Sequence, residues 1–443
     1  MVRLQFFNKK LLIISVIIVF IISIISFFSV FFFVCDKKTE IYTYTGQIEC
    51  SEFPQLSGKK IYIDPGHGGQ SKTDTFRISR HGESEGEINL RVALILYDML
   101  KKANAKPILS RYTDVDISLD ERARHVAEVW PDLLVSIHHN GSVRPSDGVN
   151  YGSVFMHATK TTNPQSYDFA ELLKAEFKKA DLYCNIVSDY AIFKESGLKI
   201  LRLTRHICPG VIGEFGFFSD KDFSLKLSDI NFNTMEAEAY FRAIAEYFRR
   251  GMPTAELGVR KGKYYIKICS GNDKKGIKPG SLFITHNDIK LNYTKISENI
   301  YRIEMGDEVF PGEHRFIIRF KNTSGQSSPI YNHLFRKSVS QGDYDMLVMN
   351  GMRLIQSKSN VKRGTKMLLA ALSMGTSDPN AKNLMLHIAE GFRLMGDMCA
   401  HEYYYRSARD FYPTSNTNST RFGFLTKFYG TKIKIGCVED FFN

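Results

Sequence analysis

An α/β fold, with a mostly parallel or mixed sheet flanked by helices, is the architecture the sequence predicts for residues 59–252. Three observations predict it. Short apolar runs alternate with stretches of helical period, the pattern of strands and covering helices. The run LLVSI (Leu133–Ile137) is the most buried-looking of them. Chemically capable side chains, His67, His138 and Glu214, fall at or just past the carboxyl ends of the expected strands, the edge where open α/β sheets bind ligands. A small β-sandwich over residues 254–337 and a helical region over 338–443 are expected to follow.

In chain order, IYI (Ile61–Ile63) reads as a strand, followed by a helix with Leu90, Ala93, Leu94, Tyr97 and Leu100 on one face. PILSR (Pro107–Arg111) reads as a strand and LDERARHVAEV (Leu119–Val129) as a helix. After LLVSI, GVNYGSVFM (Gly148–Met156) is expected as a strand and Tyr167–Lys179 as a helix. VIGEF (Val211–Phe215) is a late strand, closed by a helix over Met235–Phe248. Beyond Thr254, alternation in YYIKI and HRFIIRF, separated by turn signals such as KPGS and NTSG, predicts a sandwich similar to an immunoglobulin-like module. The stretch LMLHIAEGFRLMGDMCAHEYYYRSARDFYP resembles one tetratricopeptide unit, with Ala389, Phe392, Tyr405, Ala408 and Pro413 near the expected positions. It is a candidate docking surface for a protein partner.

The chain has 443 residues, enough for several domains, and 59 Lys plus Arg against 47 Asp plus Glu give a net charge of +12. That balance suits an anionic polymer or a solvated basic surface; no nucleic-acid partner is expected. Seven cysteines are scattered without a CxxC pair, which excludes a zinc knuckle and a thioredoxin-like motif. Leu11–Val34 is an unbroken apolar run with serine as its only polar residue type, long enough to span a hydrocarbon core and too long for a cleaved signal. It predicts a cytoplasmic tip and transmembrane anchor over residues 1–36 and a linker over 37–58. Arg3, Lys9 and Lys10 before the run, against Lys37 and Lys38 after it, favour a cytoplasmic N-terminus and an exported body. Cys35, directly after the run, is an alternative site of lipidation.

Two histidines and a glutamate, His67, His138 and Glu85 or its neighbour Glu87, supply the donor count of a catalytic zinc site, with the fourth position left to water. The metal would bring that water's pKa toward about 7. Glu214, a carboxylate in the apolar run VIGEFGFF, is costly to bury unless paired or functional, and is the candidate proton carrier. Gly66, Gly68 and Gly69 keep bulk away from His67, and Asp64 is expected to accept a hydrogen bond behind the ligands. His139 reads as a capping or core histidine.

The segments IDPGHGG, SEGEINLRVA, SRYTDVDISLDERARHVAEV, LLVSIHHN and GVIGEFGFFSD together resemble the zinc-dependent N-acetylmuramoyl-L-alanine amidases, bacterial cell-wall hydrolases, in order and spacing. The resemblance covers about Lys59 to Arg250 and implies that His67, Glu85 and His138 bind zinc and that Glu214 is catalytic. It selects Glu85 over Glu87, since the family ligand lies five residues before a leucine matching Leu90. Ser110 stands where the family commonly has threonine, a departure that touches no proposed ligand. The implied activity is hydrolysis of the amide between N-acetylmuramic acid and L-alanine in peptidoglycan. The implied location is the cell envelope, with the body periplasmic and anchored in the inner membrane. The alternatives are a zinc peptidase acting within the stem peptide, and a non-catalytic wall-binding scaffold.

Overall fold

The structure is a computed structural model that describes residues 42–69, 77–142, 148–194, 196–271, 276–306, 309–340, 342–374, 378–409, 431–432 and 434–435. The expected anchor over Leu11–Val34, and Cys35 with it, lie outside the described residues. Among the described residues, no helix is long and apolar enough to cross a membrane. The chain divides into two compact units, one made of residues up to Ala158 with Phe169–Glu246, the other of Thr159–Asp168 with Tyr247 onward.

The first unit is built on a six-stranded mixed sheet. Its strands are β1 (Lys60–Pro65), β2 (Lys106–Leu109), β3 (Leu133–Asn140), β4 (Gly152–Met156), β5 (Cys184–Ser188) and β6 (Gly210–Phe217), in the order β2-β1-β3-β6-β4-β5. β1 runs parallel to β2 and β3, and β3 parallel to β6, whereas β4 is antiparallel to β6. Strands β1, β3 and β6 are buried along nearly their whole length, which explains apolar runs without alternation. Tyr62, Leu134 and Ile212 meet Ala123 and Val126 of helix α2 (Leu119–Val129) in one core. Phe177, Phe215 and Tyr240 form another, their rings 4.7 Å and 5.4 Å apart.

Helix α1 (Glu85–Lys102) begins at a capping box. Ser84 Oγ accepts from the Glu87 N–H, and the Glu87 carboxylate accepts from the Ser84 N–H. Glu87 is therefore occupied by the cap, and Glu85, two residues earlier, is the carboxylate that turns inward. The capping pattern S-x-x-E was present in SEGE and distinguishes the two glutamates by physics alone.

Strand β5 and the short α-helices Lys199–Thr204 and Lys221–Leu227 went unread in the sequence. β5 is an edge strand whose CNIVS is interrupted by an exposed asparagine, so it lacks the apolar signal of the central strands.

The second unit holds two five-stranded sheets drawn from strands between Thr254 and Lys337, each completed by a two-residue strand from Thr431–Lys432 or Lys434–Ile435. Leu257, Ile266, Ile284, Phe316 and Ile318 fill the core between them. Among the described residues four helices follow, Asp343–Gln356, Val361–Ser373, Asp378–Leu394 and Met398–Arg409. The first two approach closely at Gly351 and Gly364, where a Cβ on Gly364 would lie 2.7 Å from the Gly351 carbonyl oxygen.

Candidate metal centre

His67 lies two residues past the end of β1, His138 lies near the end of β3, and Glu85 opens α1. One ligand atom from each lies within 4.8 Å of the others. His67 Nε2 is 3.2 Å from Glu85 Oε2, and His138 Nδ1 is 3.1 Å from Glu85 Oε1. The two imidazoles meet edge to face with ring centres 4.8 Å apart. Both histidines keep about a fifth of their side-chain surface in solvent while Glu85 keeps 4%, so the centre is open on the imidazole side and closed behind the carboxylate.

The close approach has a backbone cause. A Cβ on Gly66 would come within 2.1 Å of the His138 ring, so only glycine lets β1 turn beneath it. His67 then adopts a left-handed conformation, φ 56°, costing about 1–2 kcal/mol for a residue with a Cβ. Two buried arginines hold this turn. Arg111 donates to the carbonyls of Pro65, Gly66 and Gly86, joining the turn to the start of α1. Arg122 donates to the His67 carbonyl at 2.7 Å and to the Pro65 carbonyl at 2.8 Å.

Asp64 pairs with the Arg122 guanidinium at 2.5 Å and accepts from Ser136 Oγ at 2.8 Å. Its contact with the ligands is thus indirect, through the arginine that holds the His67 backbone. Burial works against the Asp64 carboxylate, but the Arg122 charge overcomes this and holds its pKa below the usual range.

Glu85 is in the same position more strongly. Burial would raise its pKa, yet the hydrogen bonds from His138 and His67 hold it well below the ordinary carboxylate value. Burial lowers the pKa of His67, so its imidazole is held neutral, the form that offers a lone pair. The buried carboxylate faces two imidazoles with no lysine or arginine salt-bridged to it among the described residues, and the Arg77 guanidinium meets the set at His67 Nδ1, not at the carboxylate. The residues present fit a metal ion with nitrogen and oxygen ligands.

Glu214 sits on β6 in register with His138. Its Oε2 is buried and has no hydrogen-bond partner among the described residues. Burial, and then the Glu85 charge, push its pKa up to about 8. A carboxyl of that kind, beside a donor set for a cation, is suited to carrying a proton near neutral pH.

Behind the centre lies a group that sequence reading missed. His139 Nδ1 is 2.8 Å from Asn89 Oδ1, and His139 Nε2 is 3.1 Å from Glu236 Oε2. Asn89 lies one helical turn after Glu85, and that i, i+4 spacing was the available signal. Glu236 carried none, since it comes from the helix Ile230–Arg249, far along the chain.

Comparison with known proteins covers this first unit. Residues 61–246 match the family model described as N-acetylmuramoyl-L-alanine amidase. The chain is 28% identical over 197 residues to the uncharacterized protein YqiI of Bacillus subtilis (strain 168), covering 44% of this chain and 86% of that one. It is 29% identical over 192 residues to N-acetylmuramoyl-L-alanine amidase LytC of the same organism, covering 43% of this chain but only 36% of the relative. The catalytic domain of CwlV, an N-acetylmuramoyl-L-alanine amidase from Bacillus (Paenibacillus) polymyxa var. colistinus, aligns with a TM-score of 0.37 at 24% identity, covering 43% of this chain and 98% of that one. The family match ends before the β-sandwich and the C-terminal helices.

Proposed function

We propose, from the match of residues 61–246 to the N-acetylmuramoyl-L-alanine amidase family model, that the chain hydrolyses the amide between N-acetylmuramic acid and L-alanine in peptidoglycan at a zinc centre of His67, Glu85 and His138. The observation that carries the reading is the convergence of these three side chains within 4.8 Å beside a carboxyl of raised pKa. Bound zinc would supply a Lewis acid, polarising the scissile carbonyl and acidifying the attacking water.

The chain's own groups do the rest. Glu85 brings the negative charge that offsets the cation, and the neutral imidazoles bring lone pairs. With a cation's charge beside it Glu214 would be ionised, and its Oε2 then accepts a proton from the attacking water as the new C–O bond forms. The same proton then passes to the amide nitrogen as the C–N bond breaks, leaving a lactyl carboxylate and a free L-alanine amino group. Asp64, through Arg122, keeps His67 in place during this cycle. The low exposure of Glu85 and Glu214 Oε2 keeps bulk water from competing for the proton.

A wall substrate requires the domain to work in the cell envelope, outside the cytoplasmic membrane. The apolar run Leu11–Val34 is the proposed anchor, by its length and lack of charge. A docking role for the C-terminal helices belongs to the same proposal, supported by the exposed side chains of Met346, Met349 and Leu386.

The test is a digest of purified peptidoglycan by the full chain, with the product ends identified. New L-alanine amino termini support the amidase reading; new ends within the stem peptide alone would replace it with a peptidase.

A further inference from the structure

We infer that Asn89, His139 and Glu236 act as a positioning relay that sets the Glu85 carboxylate for its metal. The inference rests on the metal reading proposed above. Asn89 Nδ2 donates to two groups that can only accept, Glu85 Oε1 and the Gly66 carbonyl, each at 3.3 Å. The amide is therefore oriented with its nitrogen toward the ligand, and its Oδ1 faces His139.

Since Oδ1 can only accept, His139 Nδ1 carries a hydrogen. That assignment holds whichever partner keeps the proton between His139 Nε2 and Glu236 Oε2. An inverted Asn89 amide would set oxygen against oxygen at Glu85. The backbone N–H of His139 also donates to Glu85 Oε1, at 3.2 Å. The relay thus gives one carboxylate oxygen two fixed donors and leaves the other facing His67.

A purely structural role for this group is the poorer account. His139 and Glu236 expose no side-chain surface, and Glu236 Oε1 has no hydrogen-bond partner among the described residues. Such a pair carries a desolvation penalty that well-packed apolar side chains would avoid. Its position, one residue from one ligand and two hydrogen bonds from another, matches the outer contacts that orient metal ligands and whose loss typically costs 10–100-fold in affinity.

The test is the zinc affinity of the purified full chain, measured by competition with a chromophoric chelator at a single pH, alongside the thermal midpoint of the metal-free protein. Asn89→Asp keeps the shape of the side chain but turns an oxygen toward Glu85. His139→Phe removes the donor to Asn89, whereas His139→Asn keeps a side-chain N–H at the place of Nδ1 for it. Asn89→Asp and His139→Phe are expected to weaken zinc binding about 10–100-fold, and His139→Asn to restore most of it. Affinity unchanged in Asn89→Asp and His139→Phe overturns the relay, as does His139→Asn binding no better than His139→Phe. Should His139→Phe fail to fold, His139→Asn decides against Asn89→Asp: near-native binding in the first with weak binding in the second supports the relay, and equal binding overturns it. A native chain that binds no zinc overturns the metal reading itself, a result distinct from equal affinity across the series.

Discussion

Arg122 joins two residues of the site that do not touch: its Nη1 lies 2.5 Å from Asp64 Oδ1 while its Nη2 holds the His67 carbonyl. Asp64→Asn leaves the arginine buried without its counter-charge, a change expected to destabilise the first unit by about 3 kcal/mol. It is also expected to loosen the left-handed turn that presents His67. Denaturant unfolding and zinc affinity should both fall; a variant with native stability would mean that the pair does not hold the turn.

Glu214→Gln is expected to keep zinc and lose turnover by about 10²–10⁴-fold. A second readout follows from its raised pKa. The folded metal-free chain keeps a proton on Glu214 up to about pH 8, whereas an unfolded chain releases it near 4.5. The stability linked to that proton is therefore complete below about pH 4.5 and is lost as pH rises through about 8. Gln removes this loss, so its thermal midpoint should exceed the native one more at alkaline than at acid pH. An equal difference at both would contradict the buried, unpaired carboxyl.

Gly66→Ala tests the steric account of the centre. The added methyl meets the His138 ring, and an overpacking cost of about 1–3 kcal/mol should come with weakened zinc binding. Unaltered binding would show that the ring has room the geometry does not allow.

In the β-sandwich, His286 Nε2 lies 2.9 Å from His314 Nδ1, and His314 Nε2 donates to the Phe310 carbonyl. Burial, then the charges of His314 and Lys366, push the His286 pKa down to about 3. With the folded pKa below the unfolded value of 6.5, stability is full above about 6.5 and declines as pH falls toward 3. The slope is up to about 1.4 kcal/mol per pH unit for each histidine. His286→Phe should flatten the acid side of the stability curve; an unchanged acid slope would rule out this pair as its source.

Much of this was legible in the sequence because central strands, buried on both faces, announce themselves as apolar runs. His67 just past β1 and His138 near the end of β3 stand out as polar residues beside those runs, whereas Glu214, expected at a strand end, lies inside β6, which continues to Phe217. Helix Leu119–Val129 was readable to its last residue from its apolar spacing. What could not be read depends on tertiary register. Arg111 and Arg122 look like ordinary surface charge in SRYTD and LDERARH, yet both are buried, since their partners are backbone carbonyls of a turn more than forty residues earlier. His139, expected only to cap or fill, gained its partner from a helix 97 residues later. Neither periodicity nor propensity carries that pairing.

The measurement closest to the central claim is the release of L-alanine amino groups from purified peptidoglycan by the native chain, after chelation and after zinc is restored. The account predicts release by the native chain, none after chelation, recovery with zinc, and almost none from Glu214→Gln under any condition. Undiminished release from the chelated chain would contradict it.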